Sequence, residues 1–344
     1  MTSLRLGLPA PVTGRIDALD ELKGLAIVLI VLYHAGGVLV ISDRLHLEVG
    51  VDMFVILSGI GLTIGASTED AGRFLMKRFW RIYPTYWIAL TAFVAAGFAL
   101  RDIHYSAADV LLHYLGIHAW FGDTYAMSIN DSFWFVTLIV SLYVVYVPLR
   151  RLAGRADLVL LAGAVVSLAV MLVTFYTNQS GVFGHLALRM PGFFAGLLIG
   201  TLLRTGSLVI PLSGALGGAF FILFYGAYTQ GITVVTFAIG LVVMAAYVFA
   251  ARPHLPRAVL TDLKFLGDRS LGIFLIHQPL IREYNVYVLN KIFPGLVLTP
   301  LILVAGMAVG FAATLAIASG LHTLLPRLPV PGLGRAAPAG AARS

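Results

Sequence analysis

The chain has 344 residues, of which 59 % are apolar and only 11 % charged, with a mean hydropathy of +0.93. That composition excludes an ordinary soluble domain and marks an all-α polytopic membrane protein. Cysteine is absent, which excludes disulfides, thiolate nucleophiles and iron–sulfur clusters and leaves covalent chemistry to His, Ser, Thr, Lys or a carboxylate.

A helix needs about 20 predominantly apolar residues to cross roughly 30 Å of hydrocarbon. Segments of this kind lie near 22–41, 49–66, 82–100, 132–150, 157–176, 187–204, 208–227, 232–251, 271–290 and 299–324, which predicts about ten spans. With both termini cytoplasmic, only Arg44, Arg101, Arg189, Arg282 and Lys291 of the 23 Lys and Arg residues fall outside. This is the bias that the positive-inside rule asks for. The net charge of +7 therefore reports topology and contact with anionic membrane lipids, and no nucleic-acid partner is expected. Asp17, Asp20 and Glu21 stand where a signal peptide would carry its basic residues, so the first span is expected to be retained. Residues 1–325 read as one membrane domain, and 326–344, rich in Pro, Gly and Ala, as a disordered cytoplasmic tail in a multi-pass protein of the inner (plasma) membrane.

The first span, "DELKGLAIVLIVLYHAG" at 20–36, places Lys23 at its cytoplasmic mouth and His34 near mid-membrane. Eleven residues of α-helix turn through about 1,100° and rise about 16 Å, so both side chains face the same way. Such a pair suits a ligand lying along that face. The bland alternative is a snorkelling lysine and a core histidine, but intramembrane ionisable groups are costly and usually functional. In the second span, Asp52 of "GVDMFVILSG" is placed to orient His34 and raise its basicity, or else to serve as a structural ion pair. Ser58 and Gly59 let helices approach closely or let the backbone bend around a ligand.

The third span is entered through "RFLMKRFWRIYP", where Lys77, Arg78 and Arg81 crowd one side of a helix. Positive-inside anchoring explains them without a substrate. The sharper reading is a site for the phosphates of a cytosolic nucleotide-like donor. The connection 101–131 should lie outside and carry a short interfacial helix. Within it, His104 with Asp109 and His118 with Asp123 fit an H-x4-D acyltransferase pattern but lie on the wrong side for a cytosolic donor. His113 and His118, five apart, should point to different helix faces, so no metal site is expected. Trp134 opens the fourth span as an interface residue, and His277 is a second histidine at mid-membrane in the ninth, followed by Arg282 and Glu283.

Taken in order, these blocks resemble the acyltransferase-3 family of integral membrane O-acyltransferases. "KGLAIVLIVLYH" at 23–34 is similar to the family's basic residue, ten residues and histidine; "GVDMFVILSG" to its second span; "RFWRIYP" at 78–84 to its basic third-span entrance. "RMPGFFAGLLIG" at 189–200 and "FLGDRSLGIFLIHQPL" at 265–280 match later landmarks, so the resemblance runs from about 15 to 325. One departure is that Ile139 and Val140 stand where many members carry an acidic pair.

The resemblance implies transfer of an acyl group, usually acetyl, from cytosolic acyl-CoA to a hydroxyl of a carbohydrate or related acceptor. On that expectation Lys23, Arg78 and Arg81 hold the CoA end. His34 acts as general base or transient acyl carrier, with Asp52 orienting it, and Ser58, Trp134 and His277 line the substrate cavity. A transporter or flippase of a polar or lipid-linked substrate is the rival reading, against which stands the lack of any internal repeat.

Overall fold

The computed structural model describes residues 3–8, 10–12, 16–38, 47–65, 70–152, 155–177, 182–211, 219, 232–283, 291 and 300–325. The expected tail at 326–344 lies outside them. Strand β1 (Ser3–Gly7) is followed by α1 (Asp17–Val38), α2 (Val49–Ile64), α3 (Ala71–Arg101), α4 (Ala107–Leu115), α5 (Asp123–Ala126), α6 (Trp134–Leu149), α7 (Ala156–Thr177) and α8 (Val182–Thr205). Then come β2 (Ser207–Pro211), α9 (Ile232–Ala245), α10 (Arg257–Asp268), α11 (Ser270–Gln278) and α12 (Pro300–Leu324). Helix α9 runs on through a π-helical segment, Ala246–Ala251, as does α11 through Pro279–Glu283.

All the apolar segments except the seventh are helical over their described residues. The seventh, expected as a span from 208, opens instead as β2, and the rest of it lies almost wholly outside the described residues. β2 pairs antiparallel with β1, Ser3 opposite Pro211 and Gly7 opposite Ser207, tying the N-terminal segment to the end of α8. Among the described residues the otherwise all-α chain therefore carries one small sheet. Three described helices are long and apolar enough to cross a membrane, Ala71–Arg101, Val235–His254 and Val304–Leu324, with shorter apolar helices at Val49–Ile64, Trp134–Leu149, Leu158–Val170 and Ser270–Ile281.

Helix α3 starts well before the expected 82. Its first turn is fixed by Asp70, whose carboxylate accepts from Gly72 N at 2.9 Å and Arg73 N at 3.3 Å. Its 31 residues rise about 46 Å, more than the hydrocarbon is thick. The basic segment, read as helical from the spacing of Lys77, Arg78 and Arg81, is thus continuous with the span.

Between helices in lipid, close packing and hydrogen bonds do the work that water does for soluble cores. Helices α2 and α8 meet at Gly59 and Gly196: a Cβ on Gly59 would overlap the Phe193 carbonyl oxygen, and one on Gly196 that of Ile56. The same relation joins α1 to α10, where Gly24 lies against the Leu263 carbonyl and Gly267 against that of Asp20. Beside this contact, the buried carboxylate of Glu21 takes both Nε (2.6 Å) and Nη2 (3.1 Å) of Arg252, and Tyr247 donates to it at 2.8 Å. The N-terminal end of α1 is therefore held on two sides.

Candidate active site

His34 and His277, the two histidines read from the first and ninth spans, meet. His277 Nε2 lies 3.0 Å from His34 Nδ1, with ring centroids 4.9 Å apart and planes at 61°. The surrounding acceptors assign the protons. His277 Nδ1 is 2.8 Å from the Phe274 carbonyl and 3.1 Å from that of Ile273, so it must donate, which leaves Nε2 of a neutral ring as an acceptor. His34 Nδ1 also lies 3.1 Å from the Ile30 carbonyl and so carries a hydrogen, shared with His277. In the neutral pair the His34 lone pair therefore sits on Nε2. This is the arrangement that makes a histidine a general base or nucleophile, with a second group setting its tautomer.

The residue expected to orient His34 is engaged elsewhere. Asp52 Oδ1 accepts from Arg189 Nη1 at 3.2 Å, and both side chains are buried. The Arg189 guanidinium in turn lies 5.9 Å from the ring of Trp134. Asp52 turns toward α8 and α9, since a Cβ on Gly240 would come within 3.8 Å of its own. His277 from α11 takes the place beside His34 that had been read for Asp52. The carboxylate answers the guanidinium, the pairing that burial of two opposite charges requires.

Lys23, Arg78, Arg81 and Ser58 share the wall of one cavity of about 600 Å³ at the basic end of the bundle. Lys23 Nζ is paired with Asp20 at 3.0 Å, and Arg78 lies against the faces of Phe74 (5.3 Å) and Tyr143 (5.4 Å). The far end is lined by Phe54, Phe135 and Phe274, whose centroids are 4.6 to 6.5 Å apart. Neither histidine lines this cavity, nor do Asp52 and Trp134. Phe274 touches both sides, lining the cavity while its ring lies 5.8 Å from that of His277.

Away from the basic cavity, a network that sequence reasoning missed surrounds the residue after His277. Gln278 accepts from Ser132 Oγ at 2.7 Å and donates to Asp131 at 3.1 Å, while Asn130 donates to the Leu275 carbonyl at 2.8 Å. The polar run "INDS" just before α6 was its only signal. The connection between α3 and α6 folds as α4, a 3-10 turn at His118–Phe121, and α5. His113 and His118 do not diverge as expected. Gly116, at φ 70°, ends α4 between them, and their rings stack at 3.8 Å and 13°. His113 Nδ1 is 3.1 Å from Asp109, which also accepts from Ser128 at 2.9 Å. Burial pushes the His113 ring below its usual range and His118 down to about 2. His104, by contrast, is an exposed partner of Asp102. Among the described residues no group of three or more His, Asp or Glu side chains is arranged to hold a metal ion.

The family model described as "Acyltransferase domain" matches residues 16–319. A protein of Komagataeibacter xylinus called "Putative membrane-bound transacylase BcsY" is 27 % identical over 303 residues, covering 78 % of this chain and 73 % of that one. No solved structure matches. The match spans every element from α1 into α12, including both histidines and the basic cavity, and the chain belongs to the acyltransferase-3 family of membrane acyltransferases.

Proposed function

We propose that this chain is a multi-pass O-acyltransferase of the inner (plasma) membrane, with ten spans and cytoplasmic termini. It moves a short acyl group, acetyl, from cytosolic acyl-CoA to a hydroxyl of a carbohydrate or glycan-related acceptor. The observation that carries this reading is the His34–His277 pair, a histidine whose lone pair is aimed by a second ring, standing beyond the end of a cation-rimmed cavity. Lys23, Arg78 and Arg81 offer the charge and fork geometry that phosphates take. The three phenylalanines leave little room at the inner end for a long acyl chain.

In the reaction, the thioester passes Phe274 to reach His34. The acceptor arrives from the outer end, past Asp131 and Gln278. His34 Nε2 takes the hydroxyl proton as the oxygen attacks the thioester carbonyl. The C–S bond then breaks, and the proton passes from the imidazolium to the departing thiolate, releasing CoA as the thiol. His277 stabilises the imidazolium by accepting its Nδ1–H. A transient acyl-imidazole on the same Nε2 uses the same geometry in two steps.

The test is made on purified protein in lipid with radiolabelled acetyl-CoA, following CoA release and label bound to protein, wild type against His34→Ala. Release that depends on His34 is the expected result. No binding of any acyl-CoA would overturn the proposal and leave a transporter as the better reading.

A further inference from the structure

A second cavity, of about 380 Å³, opens beside the first at the same end of the bundle. The two share Asp20, Lys23, Arg81, Asp268, Ser270 and Leu271, so they meet as a fork at the mouth of α1. The second branch has a different chemistry. Its own walls include Trp80, Thr85, Arg269 and His322. The indole Nε1 of Trp80 is buried and has no hydrogen-bond partner among the described residues. Arg269 is held in place: Nε donates to Ser319 Oγ at 3.0 Å, Nη1 to the Phe265 carbonyl at 3.1 Å, and the guanidinium stacks 3.6 Å from the Phe265 ring. A fixed guanidinium and an indole on the wall of one cavity suit a flat, phosphorylated ring system.

We infer that this second branch binds the nucleotide head of the acyl donor, with Trp80 against the base and Arg269 and Arg81 on its phosphates. The inference rests on the acyl-CoA reading above and divides that donor between the two branches. A nucleoside phosphate takes the Trp80 branch, and the narrow arm ending in the thioester takes the branch that leads to Phe274 and His277. Two carboxylates face the same space. Asp20 is already paired with Lys23, and Asp268 stands at the fork where both branches share it. The volume lies within the range of small-molecule sites. Arg78, which lines only the first branch, is left to the arm side.

The full-length protein is tested in nanodiscs of phosphatidylcholine, and again with phosphatidylglycerol added. The probe is adenosine 3′,5′-bisphosphate, which carries base and phosphates but neither arm nor thioester. Calorimetry should show it binding to the wild type and competing with acetyl-CoA. Trp80→Leu and Arg269→Gln should each raise the KM for acetyl-CoA about tenfold or more, with kcat moving much less, and Trp80→Phe should fall between. Acetyl-CoA turned over with an unchanged KM in Trp80→Leu and Arg269→Gln would refute the subsite while leaving the transferase intact. A wild type that neither binds nor uses acetyl-CoA would instead bring down the donor reading itself. Bisphosphate displaced by phosphatidylglycerol, without competition from acetyl-CoA, would assign the branch to a lipid headgroup and overturn the inference.

Discussion

The two ends of the bundle are built on opposite principles. At the basic end, charged side chains stand around open volume: Lys23, Arg78 and Arg81 around one cavity, Trp80 and Arg269 around its neighbour. At the opposite end, polar groups are packed into each other, with His113 stacked on His118, Tyr86 donating to the His113 carbonyl at 2.7 Å, and Gln278 tied to Ser132 and Asp131. An open charged end is suited to a ligand that comes and goes. A dense one holds a fixed shape. The histidine pair lies between them, and substitutions on either side should separate loss of chemistry from loss of fold.

The sharpest break is expected at the pair. His34→Ala should lower turnover roughly 10²- to 10⁴-fold, the range of a lost general base, with the protein still folded in the membrane. His277→Ala should cost less, on the order of 10²-fold, and alter the pH–rate profile because the His34 tautomer is no longer fixed. Turnover equal to wild type in His277→Ala would remove the ring from the mechanism. Next in size is the buried ion pair. Arg189→Leu leaves Asp52 as an uncompensated buried carboxylate and should cost about 3–5 kcal/mol of stability, with Asp52→Leu/Arg189→Leu recovering much of it. Thermal unfolding of the three proteins decides the matter: a double variant no better than the single one would mean that the pair is not the unit of stability.

At the boundary of the donor cavity, Phe54→Ala should raise the preference for butyryl- over acetyl-CoA about tenfold in kcat/KM, the worth of one or two methylenes in an apolar pocket. An unchanged ratio would clear the phenylalanines of a role in chain length. The smallest effect belongs to the stacked pair His113 and His118. The folded chain keeps His113 and His118 neutral where the unfolded chain takes up protons, because burial lowers both pKa values. Their contribution is complete above about pH 6.5 and is lost as the pH falls from there toward 2. For His118 the loss between pH 7.5 and 5.5 should be on the order of 1 kcal/mol. The unfolding midpoint of wild type should drop across that interval more steeply than that of His118→Leu.

Much of the helical architecture was legible because lipid imposes a simple code in which spanning helices are long apolar runs. The code failed where charge and helix coincide. The third span was counted only from 82 because Arg73, Lys77, Arg78 and Arg81 depress the local hydropathy, although the helix that carries it begins at Ala71. It failed again at Gly116, where a left-handed turn brings two rings together that an unbroken helix would separate. In the site, the Lys23–His34 spacing was readable because one helix fixes it. The His34–His277 contact joins residues 243 apart, which no local pattern encodes. One rule would have improved the reading. Among the ionisable groups of the spans, matching the Asp52 carboxylate to the Arg189 guanidinium leaves the rings of His34 and His277 for each other.

The packing of Gly24 and Gly267 has a mechanical result. With α1 pressed backbone to backbone onto α10, and Glu21 clasped by Arg252, the helix that carries both Lys23 and His34 cannot slide along its axis. It acts as a gauge block of about 16 Å between Lys23 at the charged mouth and the His34 ring. For the proposed donor, length then becomes a condition of reaction: a thioester on a shortened arm, anchored by its phosphates at the mouth, would stop short of His34 and leave unreacted.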